Sequence, residues 1–224
     1  MIAVLAVLLS LVPAFLQNNL PHAFPREGAV QLLDNERVTL WEVTWAKGKP
    51  TAMHEHKYDM VCVDLADSTV KVTRPSGGSQ TTSPKAGGIT FVAKGTIHAE
   101  EGMSDPPRHA IMIDLKDAVV PPLENKSGYP SAFPRDGAKK IYENARVVVW
   151  DYRWTLGKPS PMHFHDKDVV VVYMDNGSLK STTPDGKSDI RKISFAEAQF
   201  NTRNRIHTEE LVEGAARAIV VELK

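Results

Sequence analysis

Residues 48–56 read GKPTAMHEH and residues 157–165 read GKPSPMHFH. Two histidines two positions apart on an extended chain project to the same face. That arrangement suits a shared metal ion, and it also suits a titrating surface pair, so the surrounding sequence has to decide. Working outward, the echo continues at the same offset of 109. AFPREGA at 23–29 matches AFPRDGA at 132–138, and Asn35, Arg37, Val38, Trp41 and Trp45 match Asn144, Arg146, Val147, Trp150 and Trp154. Asp59 matches Asp168, and far downstream IHAEE at 97–101 matches IHTEE at 206–210. Laid over one another without a gap, residues 21–115 and 130–224 therefore read as one duplicated unit. The expected organisation is a first repeat over 20–120, a linker over 121–129 and a second repeat over 130–224.

Each unit reads as all-β. RVTLWEVTW and RVVVWDYRW are rich in β-branched and aromatic residues, with Trp41, Val43 and Trp45 on one face. MVCVDL and VVVVYM are apolar runs of the length of a buried strand, and AIMIDL and AIVVEL close each repeat with another. Turn signals such as RPSGGS and TPDGKS separate the runs, and no long 3.6-residue period competes with them. Short strands at regular spacing predict a sandwich or barrel, here two in tandem.

The chain has 224 residues, enough for a substantial core, and its 27 Lys and Arg balance 27 Asp and Glu. That balance argues against a nucleic-acid surface. One cysteine, Cys62, excludes an internal disulfide and any Cys-rich zinc site, so a metal here needs nitrogen and oxygen ligands. Residues 1–19, MIAVLAVLLSLVPAFLQNN, are apolar and uncharged apart from the terminal amine. They predict a signal peptide and a periplasmic or secreted chain with no membrane partner once the leader is removed; a cytoplasmic chain with a hydrophobic terminal strand is the alternative.

On these residues the sequence resembles the cupin family, in its two-domain (bicupin) form. Gly48-x5-His54-x-His56 and Gly157-x5-His163-x-His165 match the opening of the first cupin motif. Counting through that motif puts Val61 and Val170 where the family has a metal-binding glutamate. Gly87 and Gly95-x2-His98 match the second motif, whereas the second repeat keeps only His207 of it, with Asn204 at the glycine position. The resemblance implies two jelly-roll β-barrels. It also implies that His54, His56 and His98 meet around a divalent metal in the first, and His163, His165 and His207 in the second. Three imidazoles leave positions open for water or substrate and do not choose among zinc, iron, manganese, nickel and copper.

Four acidic residues recur beside these histidines and are the candidates for metal ligation in place of the glutamate, for ligand orientation or for proton transfer. Asp59 and Asp168 share a strand face with Val61 and Val170; Glu100 and Glu209 share one with His98 and His207. The tryptophans are expected in barrel walls, Met53 and Met162 away from the metal by parity, and Cys62 buried. Arg26 and Arg135 are expected in salt bridges, with an acidic ligand as the alternative. The function expected is a metal-dependent enzyme of the dioxygenase, decarboxylase or isomerase type acting on a small organic molecule. Its alternatives are a non-catalytic periplasmic binder of a small molecule or metal, and a structural bicupin with remnant sites. Homo-oligomerisation stays open.

Overall fold

The computed structural model describes residues 20–224; residues 1–19, where a signal peptide is expected, lie outside them. Within the described residues all regular structure is β, and no helix is long and apolar enough to cross a membrane. The first repeat contributes β1 (Ala29–Asp34), β2 (Val38–Trp45), β3 (His54–Glu55), β4 (Asp59–Asp64), β5 (Val70–Thr73), β6 (Ser79–Thr82), β7 (Ile89–Val92), β8 (Ile97–Gly102) and β9 (Arg108–Leu115). The second contributes β10 (Ala138–Glu143), β11 (Val147–Arg153), β12 (His163–His165), β13 (Asp168–Tyr173), β14 (Gly177–Thr182), β15 (Ser188–Ile193), β16 (Ala198–Asn201), β17 (Arg205–Gly214) and β18 (Arg217–Leu223).

Each repeat builds a five-stranded and a four-stranded antiparallel sheet. The orders are β1-β2-β9-β4-β7 with β3-β8-β5-β6, and β10-β11-β18-β13-β16 with β12-β17-β14-β15. The two sheets of a repeat face each other as a jelly-roll barrel. Its interior holds Trp41, Val43, Trp45, Met60, Cys62 and Met112 in the first repeat, and Trp150, Tyr152, Trp154, Val169, Val171 and Tyr173 in the second. All four tryptophans are buried there, as is Cys62.

The opposite faces of the two five-stranded sheets pack against each other across the repeats. Val38, Leu40, Val61, Val63, Ile111 and Ile113 meet Val147, Val149, Val170, Val172, Ile219 and Val221 in one cluster. This explains why MVCVDL and VVVVYM read as nearly unbroken apolar runs. Their strands are covered on both sides, by their own barrel and by the other repeat, so alternation has no solvent face to mark. Paired ions flank the cluster with the symmetry of the duplication. Arg37 lies 3.4 Å from Asp168, and Arg146 lies 3.5 Å from Asp59. The contact is isologous, like that of a two-fold dimer carried on one chain.

The ungapped offset holds through β8 and β17 but not to the end. Val43 faces Ala110 whereas Tyr152 faces Ala218, so the last strands correspond at an offset of 108. The connection into β18 is one residue shorter, and the register of the core, not the count along the chain, sets the alignment. Arg108 therefore corresponds to Ala216, not to Arg217.

Candidate metal centres

The two short strands β3 and β12 lie antiparallel to β8 and β17, with His54 opposite His98 and His163 opposite His207. The register that closes each barrel thus brings the third histidine to the His-x-His pair. In the first barrel the ring centroids stand 4.8–5.3 Å apart. In the second they stand 4.8–5.0 Å apart. In both sets one ligating atom from each ring lies within 4.8 Å of the others, and all six side chains are buried.

The tautomers favour ligation. His54 Nδ1–H donates to the Ala52 carbonyl at 2.9 Å, leaving its Nε2 lone pair buried and without a partner among the described residues. His163 Nδ1–H does the same to Pro161 at 2.8 Å. His56 Nε2 stands 3.1 Å from His98 Nε2, and His165 Nε2 stands 3.2 Å from His163 and 3.1 Å from His207. Nitrogens bound to one tetrahedral ion at about 2.0–2.1 Å would stand roughly 3.3 Å apart, so the clusters match a divalent metal in chemistry and in size. Burial also keeps the rings neutral. It pushes His54 and His163 down to about 4, His56 to about 3 and His165 to about 2, and lowers His98 and His207.

The four acidic candidates separate. Glu100 and Glu209 do share a face with the third histidine. Arg26 reaches Glu100 at 3.1 Å, Arg135 reaches Glu209 at 2.8 Å, and a Glu209 oxygen lies 3.9 Å from His207 Nε2. Burial alone would raise both carboxyls. Arg108 and Arg26 hold Glu100 down to about 2, and Arg135 with the three histidines does so for Glu209. Such weakly basic carboxylates are better suited to anchoring arginines than to accepting protons. Asp59 and Asp168, by contrast, lie in the ion pairs between the repeats, away from either triad.

The same parity corrects the glutamate position. Val61 and Val170 sit in the inter-repeat cluster, and the residues turned into the barrels are their predecessors, Met60 and Val169. Opposite these across the sheet stand two acids that the sequence reading passed over. Asp114 faces Met60 and Glu222 faces Val169. Both are buried, and both accept an indole hydrogen bond, from Trp41 at 3.1 Å and from Trp150 at 2.8 Å. His22 adds a contact to Asp114 at 3.2 Å. The signal was present in AIMIDL and AIVVEL, an acid on the inward parity of an otherwise apolar strand.

The second-motif turn, degraded in the sequence of the second repeat, is intact in its backbone. Asn204 has φ 63° where Gly95 has 82°, and Ala196 has φ 68° where Gly87 has 79°. Asparagine tolerates this left-handed region better than most residues. The site differs in one contact. Arg135 Nη1 donates to His163 Nε2 at 2.8 Å, whereas no such bond is made to His54 Nε2. Ligation by His163 therefore requires that guanidinium to withdraw.

No protein-family model matches this chain, and no curated protein does either. Solved structures match it over most of its length. The cupin 2 conserved barrel domain protein from Leptotrichia buccalis is 15% identical, with 88% of each chain covered and a TM-score of 0.55. Bacillus subtilis oxalate decarboxylase, a protein described with Mn(II) centres, is 10% identical over 83% of this chain and 68% of its own, at 0.58. AerE from Microcystis aeruginosa is 9% identical over 88% and 97%, at 0.62. At these identities the likeness establishes the fold, which is that of a tandem cupin.

Proposed function

We propose that this tandem cupin is a metal-dependent enzyme acting on a small organic molecule. His54, His56 and His98 would hold one divalent ion, and His163, His165 and His207 a second. The observation that carries the reading is the convergence of three buried, neutral imidazoles in each barrel, with the His54 Nε2 lone pair left without a partner. The chemistry such a site would gain from a bound divalent ion is that of a Lewis acid, which would polarise a substrate oxygen or lower the pKa of a bound water. Three protein donors leave coordination positions open, as in catalytic rather than closed structural sites.

The remaining groups position the site. Ala52 and Pro161 fix the orientation of His54 and His163 through their carbonyls. Glu209 holds Arg135 at the edge of the second triad, and Ser181 Oγ steadies His207 from 3.2 Å. The apolar leader, removed on export, would place the mature protein outside the cytoplasm.

Substrate-screen turnover that disappears on chelation and returns with one metal supports the enzyme; turnover unaffected by complete metal removal contradicts it. Binding of a small molecule without turnover in the metal-loaded protein would favour the non-catalytic reading. Sequencing the amino terminus of protein from its native source tests the leader, and an intact Met1 contradicts export.

A further inference from the structure

The two barrels are filled differently. In the first, Arg108 reaches inward between the sheets. Its Nε donates to Asp64 at 3.0 Å, Nη1 to Glu100 at 3.4 Å and Nη2 to Cys62 Sγ at 3.2 Å. In the second, Ala216 stands at the Arg108 position, and Tyr173 and Val171 replace Asp64 and Cys62. Among the described residues no guanidinium takes the place of Arg108 between the sheets. A cavity of about 160 Å³ opens instead, bounded by His165, His207 and Glu209.

The wall of this cavity has gained cations. Arg205 and Arg191 line it, where the first barrel has Thr96 and Thr82. Arg191 is engaged by Glu197 at 2.6 Å and by the Tyr173 hydroxyl at 2.9 Å. Arg205 is partly buried, donates to the Thr202 carbonyl at 2.6 Å and pairs with no carboxylate among the described residues. Trp154 lines the same cavity, and its buried indole N–H has no partner among the described residues. Its counterpart Trp45 donates to Glu100 at 3.1 Å. A buried indole donor left unmatched is costly unless something fills its valence, and Arg205 places a positive charge beside it. The rest of the lining is mixed: Phe133, Val169, Val171 and Val220 give an apolar side, and Arg135 and Lys180 outnumber the single further carboxylate, Asp189. Cavities of about 150 Å³ take a molecule the size of benzene.

We propose that the second barrel binds one small organic carboxylate with a compact, planar apolar body, its anionic end toward Arg205, and that the first barrel binds none. The proposal names the ligand class for the site described above, and it rests on the metal reading only in that His165 and His207 share the cavity wall.

The test is calorimetric titration of the full chain with benzoate and with its neutral counterpart benzamide, on metal-loaded and metal-stripped protein, with metal content measured alongside. The expected result is one benzoate per chain and at least ten-fold weaker binding of benzamide. Arg205→Gln should weaken benzoate at least ten-fold with metal content unchanged, and Ala216→Arg, which fills the cavity, should abolish binding. Thr96→Ala, at the matching place in the first barrel, should change nothing. Two benzoates per chain, equal binding of benzamide, or affinity indifferent to Arg205→Gln would overturn the proposal. So would absence of benzoate binding in both forms of the protein. Benzoate binding retained by a chain that holds no ion would support the proposal and contradict the metal reading instead.

Discussion

The first barrel closes its interior with charge and the second leaves it open, on backbones that correspond residue for residue up to the last strand. Arg108, Asp64 and Glu100 form a buried ionic network in one; Ala216, Tyr173 and Val171 leave a cavity in the other. The histidine triads converge in both, beside matching Arg–Glu pairs, and differ in the Arg135 contact to His163. Even the left-handed turns before the third histidine agree, although glycine makes them in the first repeat and Asn204 and Ala196 in the second. Duplication has preserved whatever fixes the ring positions and has let the filling diverge. What surrounds a triad is therefore a better guide to its use than the triad itself.

The largest expected effects break that comparison at its charged centre. Arg108→Ala strands Asp64 and Glu100 in the first barrel and should cost about 3–5 kcal/mol, as removal of one partner from a buried ion pair does. Arg217→Ala, its partner by simple counting along the chain, removes a partly exposed bridge to Asp151 at 2.9 Å beside Gly87 and should cost under about 1 kcal/mol. Urea denaturation of both variants checks this; equal losses would mean that the offset of 109 and not 108 aligns the final strands.

A second pair of substitutions sharpens the assignment of the inward face. Val170→Glu buries a carboxylate between the repeats and should lose several kcal/mol or fail to fold. Val169→Glu places one inside the second barrel beside the triad, and metal loading should recover much of its lost stability. Thermal denaturation with and without metal distinguishes them, and the opposite ranking would return the glutamate position to Val170.

Acid should act next, and on both barrels. Burial holds His54 and His163 near 4, below the ordinary imidazole value of 6.5. As the pH falls through 6.5 the unfolded chain takes up protons that the folded chain refuses, so stability present at neutral pH is lost between about 6.5 and 4. The metal-free protein should lose on the order of 3 kcal/mol over that range, since a ten-fold difference in proton affinity is worth ~1.4 kcal/mol and solvent screening with partial relaxation reduces the sum. A flat stability profile from pH 7 to 4 would contradict the buried, neutral triads. Small effects belong also to the flanks, where Arg37→Ala and Arg146→Ala should each cost about 1 kcal/mol. Measured together in denaturant, they should add to within about 0.5 kcal/mol.

Much of this architecture was legible in the sequence because it follows from periods of two and from repetition. His54 and His56 share a face by parity, and Glu100 follows His98 by the same rule. What parity could not supply was which face is inner. In β4 and β13 both faces are apolar, because one lines a barrel and the other the partner repeat, so nothing in VCVD or VVVV distinguishes Met60 from Val61. The misplacement of Asp59 and Asp168 beside the metal follows from that ambiguity. Asp114 and Glu222 went unread because a single acid near the end of a strand usually faces water. The filling of the first barrel was hidden by a one-residue shortening before β18, which aligned Arg108 with the wrong residue.

The claim that everything else depends on is that each triad holds its own ion. Metal content per chain in the parent protein, in His54→Ala/His56→Ala and in His163→Ala/His165→Ala tests it directly. The account predicts about two ions in the parent and about one in each variant, with the first site, whose His54 Nε2 makes no bond to an arginine, the tighter. A parent protein that binds no divalent metal, or a metal content unchanged by either pair of substitutions, would contradict it.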